Sequence, residues 1–71
     1  MDYTEHEQLF LNVLDETGIV TERTLEKRFS AYYADQTAAR TNLVYARNSL
    51  LKAGVIKETE DPLEGNQYDR A

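Results

Sequence analysis

The feature that most restricts the fold is a change of sequence period at Gly54. Up to that glycine, apolar residues recur at helical spacing; after it, short alternating segments flank a turn-forming stretch, as in GVIKETEDPLEGNQYDRA. Residues 55–60 predict a strand, 61–66 a turn and 67–70 a returning strand. The chain therefore closes with a β-hairpin over about 55–70.

This hairpin needs support from the rest of the chain. An isolated two-stranded ribbon is only marginally stable in water. We therefore expect Val55, Ile56 and Tyr68 to pack against helices while the turn projects into solvent.

The first predicted helix spans about 4–16. Thr4 is followed three residues later by Glu7, the capping-box spacing, and Gly18 supplies a residue that readily ends a helix in a left-handed conformation. The residues expected on its buried face are Leu9, Phe10, Val13 and Leu14.

A second helix is predicted at about 22–33, after two β-branched residues at 19–20 that suit a short strand. Thr21 is its N-cap, and Glu22 lies in the first turn, where the helix dipole favours a carboxylate. Its apolar face is expected to comprise Leu25, Phe29, Tyr32 and Tyr33.

The third predicted helix spans about 36–53, with Asp35 as its cap and Gly54 as its stop. Its core stripe is Ala39, Leu43, Ala46 and Leu50. Three helices, a short strand and a hairpin give an α+β fold, mostly α. We expect residues 1–71 to form a single domain whose small core leaves stability marginal.

Composition restricts the chemistry. The chain has no cysteine and one histidine, so neither disulfides nor a recognisable structural metal site is expected. There is no Ser/His/Asp arrangement and no glycine-rich phosphate loop, which indicates a protein that is not an enzyme and takes no cofactor. No apolar run approaches about 18 residues and the N-terminus is acidic, so we expect a cytoplasmic or nucleoid-associated protein without membrane contact.

Charge is distributed unevenly around a net value of −5. Residues 1–20 hold five carboxylates and no Lys or Arg, and 58–71 hold five carboxylates and one Arg. Residues 21–57 hold seven of the eight cations and three carboxylates. A local surplus of cations can bind phosphates even when the remainder of a protein repels them.

The order of elements resembles the winged helix-turn-helix domains of small transcription regulators of the MarR and PadR types. IVTERTLEKRF is similar to their short strand and first motif helix, QTAARTNLVYARNSLLKAG to their recognition helix, and VIKETE with NQYDR to their wing. The junction LLKAGVI matches their frequent Leu-x-x-x-Gly-Val/Ile-Ile pattern. The resemblance implies transcription regulation through double-stranded DNA, with the third helix in the major groove. Asp61 and Glu64 depart from it, because such wings usually carry Arg or Lys.

Candidate DNA contacts follow from the helical period. Residues in the first turns of a recognition helix point at base edges, where Gln pairs with adenine and Thr or Ala methyl groups touch thymine. Long Arg stems on the flank can reach phosphate or guanine. The candidates are Gln36, Thr37, Ala38, Arg40, Thr41, Tyr45, Arg47, Asn48 and Lys57.

Other interpretations of the same residues remain open. In one of them the polar face is simply solvated, and Arg40 and Arg47 form ion pairs with the first helix. As a regulator, the protein is expected to act as a homodimer on two half-sites. Alternatively, the winged helix is a protein-interaction module whose acidic wing and first helix bind a basic partner, or a small acidic inhibitor that competes with nucleic acid.

Overall fold

A computed structural model describes residues 2–71 and contains three helices and one three-stranded antiparallel sheet. In chain order the elements are α1 (Glu5–Thr17), β1 (Ile19–Thr21), α2 (Glu22–Tyr32), α3 (Gln36–Lys52), β2 (Ile56–Asp61) and β3 (Gly65–Arg70). The α+β, mostly helical class predicted from the sequence is confirmed. Within residues 2–71, no helix combines the length and the apolar character needed to cross a membrane.

Each helix begins directly after the residue predicted to cap it. The Thr4 hydroxyl accepts the Glu7 N–H while a Glu7 carboxylate oxygen accepts the Thr4 N–H, so the capping box is complete. Thr21 accepts from the Thr24 N–H, and Asp35 accepts from the Thr37 N–H. These local hydrogen bonds satisfy amides that have no partner inside the helices, and they place the start of α3 one residue after Asp35.

The sheet joins the middle of the chain to its end in the order β1-β3-β2. Strand β3 lies between the other two and pairs antiparallel with both, which sets Val20 opposite Tyr68. The hairpin was predicted from the sequence, but the pairing of β1 with β3 was not. It fixes the hairpin against the α1–α2 connection.

The hairpin turn is shorter than the predicted 61–66. Strand β2 continues to Asp61, which pairs with Gly65, so only three residues connect the strands. An Asp61 carboxylate oxygen accepts the N–H groups of Leu63 and Glu64 at 2.8 and 3.0 Å. Gly65 follows with φ 81°, the left-handed conformation that closes three-residue hairpin loops.

Within residues 2–71, thirteen buried side chains form a single core between the helices and the inner face of the sheet. Most were predicted, but Val20 and Leu11 were not expected in the core, and Tyr32, which was expected there, is exposed. Leu11 is fully buried although it was not expected in the core, because α1 is covered by α3 on one side and by α2 and the sheet on others. Tyr32 is 53% exposed, since α2 ends there and only the start of α1 lies nearby; its hydroxyl donates to Glu5.

Candidate nucleic-acid interface

Helix α3 presents a surface without carboxylates. Its 17 residues include no Asp or Glu, although the whole chain has 13. Its stripe of buried residues packs against α1 and α2, and at about 100° per residue the opposite side faces solvent. The exposed residues on or beside this outer face are Gln36, Thr37, Arg40, Thr41, Tyr45, Asn48 and Lys52.

Four of the predicted contacts therefore share the outer face opposite the buried stripe: Thr37, Thr41, Tyr45 and Asn48. Gln36 and Arg40 are exposed on the flank of α3 that faces α2. Ala38 is the exception within the first turns of α3, because it is half-buried at the edge of this surface. The Ala38 carbonyl oxygen accepts a hydrogen bond from the Asn42 side-chain amide at 2.7 Å. Its methyl group is less accessible than the neighbouring Thr37 and Thr41 side chains.

Arg40 lies where α3 and α2 diverge. Together with Gln36 it lines a cleft of about 140 Å³ whose floor includes Phe29 and Leu43, with Glu26 contributed by α2. Within residues 2–71, no carboxylate oxygen lies within 4.0 Å of the Arg40 guanidinium. The side chain is exposed, and its charge is available to a ligand that approaches the first half of α3.

Arg47 has a different environment. Its Nη1 donates to Oε1 of Glu22 at 2.8 Å, and only 24% of the Arg47 side chain is exposed. Oε2 of the same carboxylate accepts the Tyr68 hydroxyl at 2.7 Å. Burial and the neighbouring Glu22 carboxylate raise the pKa of Tyr68 well above its usual range, so the hydroxyl stays protonated as a donor.

Glu22 was assigned only a dipole role from the sequence. Its partners lie 25 and 46 residues further along the chain, and no local pattern relates them. The sequence signal that could have predicted this contact is Arg47 itself. An arginine beside a buried stripe is partly removed from water, so its charge needs a carboxylate partner. Within residues 2–71, the alternative interpretation of Arg40 and Arg47, an ion pair with the first helix, is not observed; α1 instead pairs Glu16 with Arg28 and Asp15 with Arg70.

Lys57 belongs to another surface. Successive side chains of a strand point to opposite faces, and Ile56 points into the core. Lys57 is consequently on the outer face of the sheet, directly opposite Asp69 of β3. It does not share the outer face of α3.

The hairpin and the residues after it are acidic, because residues 58–71 hold five carboxylates and one Arg. Glu58, Glu60 and Glu64 are exposed, and Leu63 at the turn is 93% exposed. Glu58 is opposite Tyr68 and so lies on the face of the sheet that meets the helices. Backbone N–H donors within the turn lower the pKa of Asp61, which keeps that carboxylate ionised.

Ion pairing divides the cations of residues 2–71 into two groups. Three are paired with carboxylates: Arg28, Arg47 and Arg70. The other five have no carboxylate partner within 4.0 Å in this part of the chain: Arg23, Lys27, Arg40, Lys52 and Lys57. Four of these five are on α2 and α3.

Within the described residues, no group of three or more His, Asp or Glu side chains is arranged to hold a metal ion. Comparisons with protein families, with curated proteins and with solved structures find no match to this chain.

Proposed function

We propose that the protein is a transcription regulator that binds double-stranded DNA through the outer face of α3. The observation that carries this proposal is the absence of carboxylates from a 17-residue helix that exposes amide, hydroxyl and cationic side chains, in a chain of net charge −5. A solvated face in so acidic a protein would be expected to include Asp or Glu. Its exclusion from α3 favours contact with a polyanion.

The arrangement of elements supports a winged helix. A helix, a short strand, two helices joined by a tight turn and a hairpin occur in that order, and the short strand joins the hairpin in one sheet. At 1.5 Å per residue α3 is about 25 Å long. The major groove of DNA, about 12 Å wide, admits a helix, and Thr37, Thr41 and Asn48 on the outer face of α3 are exposed.

The exposed residues divide between two kinds of contact. Gln36, Thr37 and Thr41 are near the start of α3, from which recognition helices reach base edges. Arg40 suits a guanine or a phosphate, and Tyr45, Asn48 and Lys52 suit the phosphate backbone. Because few cations face the groove and the hairpin is acidic, we expect modest affinity with a shallow salt slope of about −0.9 per phosphate contact.

Fluorescence anisotropy with a labelled random-sequence duplex, at several NaCl concentrations, tests the proposal. Arg40→Ala is expected to weaken binding and to reduce the magnitude of the salt slope by about one contact. Arg28→Ala is the charge-matched control, because Arg28 is paired with Glu16 away from the outer face of α3 and should leave binding unchanged. Absence of binding by the unaltered protein at low salt would refute the proposal.

A protein-interaction module is the second candidate, favoured by the acidic hairpin and by Leu63 at its tip. The double substitution Glu60→Lys and Glu64→Lys reverses charge while retaining the Asp61 hydrogen bonds that form the turn. Under the DNA proposal, this variant binds a duplex more tightly, because two carboxylates of the predicted wing are replaced by cations that attract phosphates. Under the second candidate, it loses a basic protein partner, and substitutions on α3 have no effect on that partner.

A further inference from the structure

Three side chains from three elements meet at the boundary between the core and solvent. Glu22 is the first residue of α2, Arg47 lies in α3 and Tyr68 in β3. We name these three residues the Glu22 cluster. Both carboxylate oxygens of Glu22 are used: Oε1 accepts from Arg47 and Oε2 accepts from the Tyr68 hydroxyl.

The aromatic ring of Tyr68 anchors this cluster to the core. The Tyr68 residue is fully buried, and its ring meets that of Phe10 edge to face with centroids 5.6 Å apart. The side chains of Arg47 and Glu22 are only 24% and 26% exposed. Charge-assisted hydrogen bonds in partly buried sites are directional and about twice as strong as neutral ones, so the cluster holds specific atoms of α3 at fixed distances from β3.

A second side-chain hydrogen bond, from the Ser49 hydroxyl to the Glu7 carboxylate, links α3 to α1, and most of the remaining side-chain contacts of α3 are apolar. Its buried stripe of Ala and Leu packs on α1 and α2 through hydrophobic contacts, which determine the face of α3 that is buried. The Glu22 cluster adds directional hydrogen bonds to this packing. The backbone of α3 approaches the sheet only at β2, near the end of the helix. The Glu22 cluster is thus a hydrogen-bonded connection from the side chain of Arg47, within α3, to the central strand β3.

We propose that Glu22, Arg47 and Tyr68 are positioning residues that set the orientation of the outer face of α3, and that Arg47 acts through this cluster and makes no phosphate contact. This inference rests on the proposed DNA binding. It assigns a role in DNA binding to Glu22 of α2 and Tyr68 of β3, although neither residue belongs to α3. It also changes the role predicted for Arg47 from a DNA contact to a positioning residue.

Two variants separate positioning from direct contact. Tyr68→Phe removes only a hydroxyl from a residue that no duplex can touch, and Arg47→Ala removes the cation. If the cluster positions α3, both variants weaken DNA binding by about tenfold, which is in the range known for residues that act without contacting the ligand. Both variants should also keep the salt slope of the unaltered protein. A lost phosphate contact would instead reduce the slope of Arg47→Ala alone by about one.

Arg28→Ala serves again as the control, because it breaks a surface ion pair of α2 outside the cluster. All proteins are compared well below their unfolding temperatures, so that a loss of folded protein does not imitate weak binding. The inference is overturned if Tyr68→Phe binds like the unaltered protein, or if Arg47→Ala changes the slope by about one.

A measurement without DNA keeps the two proposals distinguishable. Amide chemical shifts of α3, from Gln36 to Asn48, are expected to change in Tyr68→Phe and in Glu22→Gln, although neither residue belongs to that helix. If the unaltered protein fails to bind DNA but these shifts occur, the function is wrong and the positioning role stands. If α3 shifts are unaffected, the positioning role is wrong whatever the protein binds.

Discussion

Single residues at the helix ends account for much of the local order. Glu7 completes the capping box with Thr4 and also accepts a hydrogen bond from the Ser49 hydroxyl of α3. The hydrogen bond from Ser49, followed by that from the Thr4 N–H, lowers the pKa of Glu7 below 4.5. One side chain therefore caps α1 and links it to α3.

Replacing Glu7 by Ala is expected to cost about 1 kcal/mol of unfolding free energy at pH 7. A lowered folded-state pKa means that the ionised carboxylate stabilises the protein above pH 4.5, and that this contribution is lost as the pH falls through the lowered value. The difference in unfolding free energy between the two proteins, measured in urea from pH 7 to pH 3, should consequently shrink with acidification. A difference that stays constant over this range would contradict the role of the ionised form.

The hairpin is the element whose geometry depends most on its turn. Asp61 and Gly65 together close a three-residue connection, one through hydrogen bonds to backbone N–H groups and the other through a positive φ. Leu63 is exposed at the tip and contributes nothing to the core. The turn therefore determines the register of β2 with β3 and, through β3, the pairing with β1.

The substitution Gly65→Ala tests whether the turn conformation stabilises the hairpin. A Cβ at this position would meet no atom within 4 Å, so the cost arises from the backbone alone. An Ala at φ 81° is expected to destabilise the protein by about 1–2 kcal/mol, measured by thermal unfolding. Leu63→Ala at the adjacent exposed site is the control and should change stability by less than about 0.5 kcal/mol; equal effects of both would show that the turn conformation is not the cause.

At the scale of the whole molecule, electrostatics oppose folding. The 71-residue chain has thirteen carboxylates and eight cations, and within residues 2–71 no charged residue is buried. Of the three ion pairs, two are well exposed, and exposed pairs contribute little. Added salt screens both the repulsion among the carboxylates and the attraction within the ion pairs. We expect the repulsion to be the larger of the two, so that salt stabilises the folded protein.

Raising NaCl from 0.02 to 0.5 M, concentrations chosen to span strong and weak screening, is expected to increase the melting temperature by about 4 °C. Sodium chloride is preferred to sulfate, which stabilises proteins by strengthening hydrophobic burial. The variant Glu60→Gln with Glu64→Gln reduces the net negative charge and should respond less to salt. A melting temperature that falls with added NaCl would indicate that the ion pairs outweigh the repulsion.

The sequence by itself determined the elements of this protein, because their signals are local. Caps such as Thr4 and Asp35 bind amides two or three residues away, and the apolar period of each helix lies within a few turns. The candidate surface on α3 was also predictable, since residues from Gln36 to Asn48 are related by one helical period.

Only the tertiary structure decided which of the candidates share a surface. The pairing of β1 with β3 and the turn register placed Lys57 on the outer face of the sheet. Arg47, predicted as a DNA contact, is instead hydrogen-bonded to Glu22, which also accepts from Tyr68. Such contacts join residues 25 to 46 positions apart and depend on how the helices pack on the sheet. Periodicity contains no information about them, because it describes each element without its neighbours.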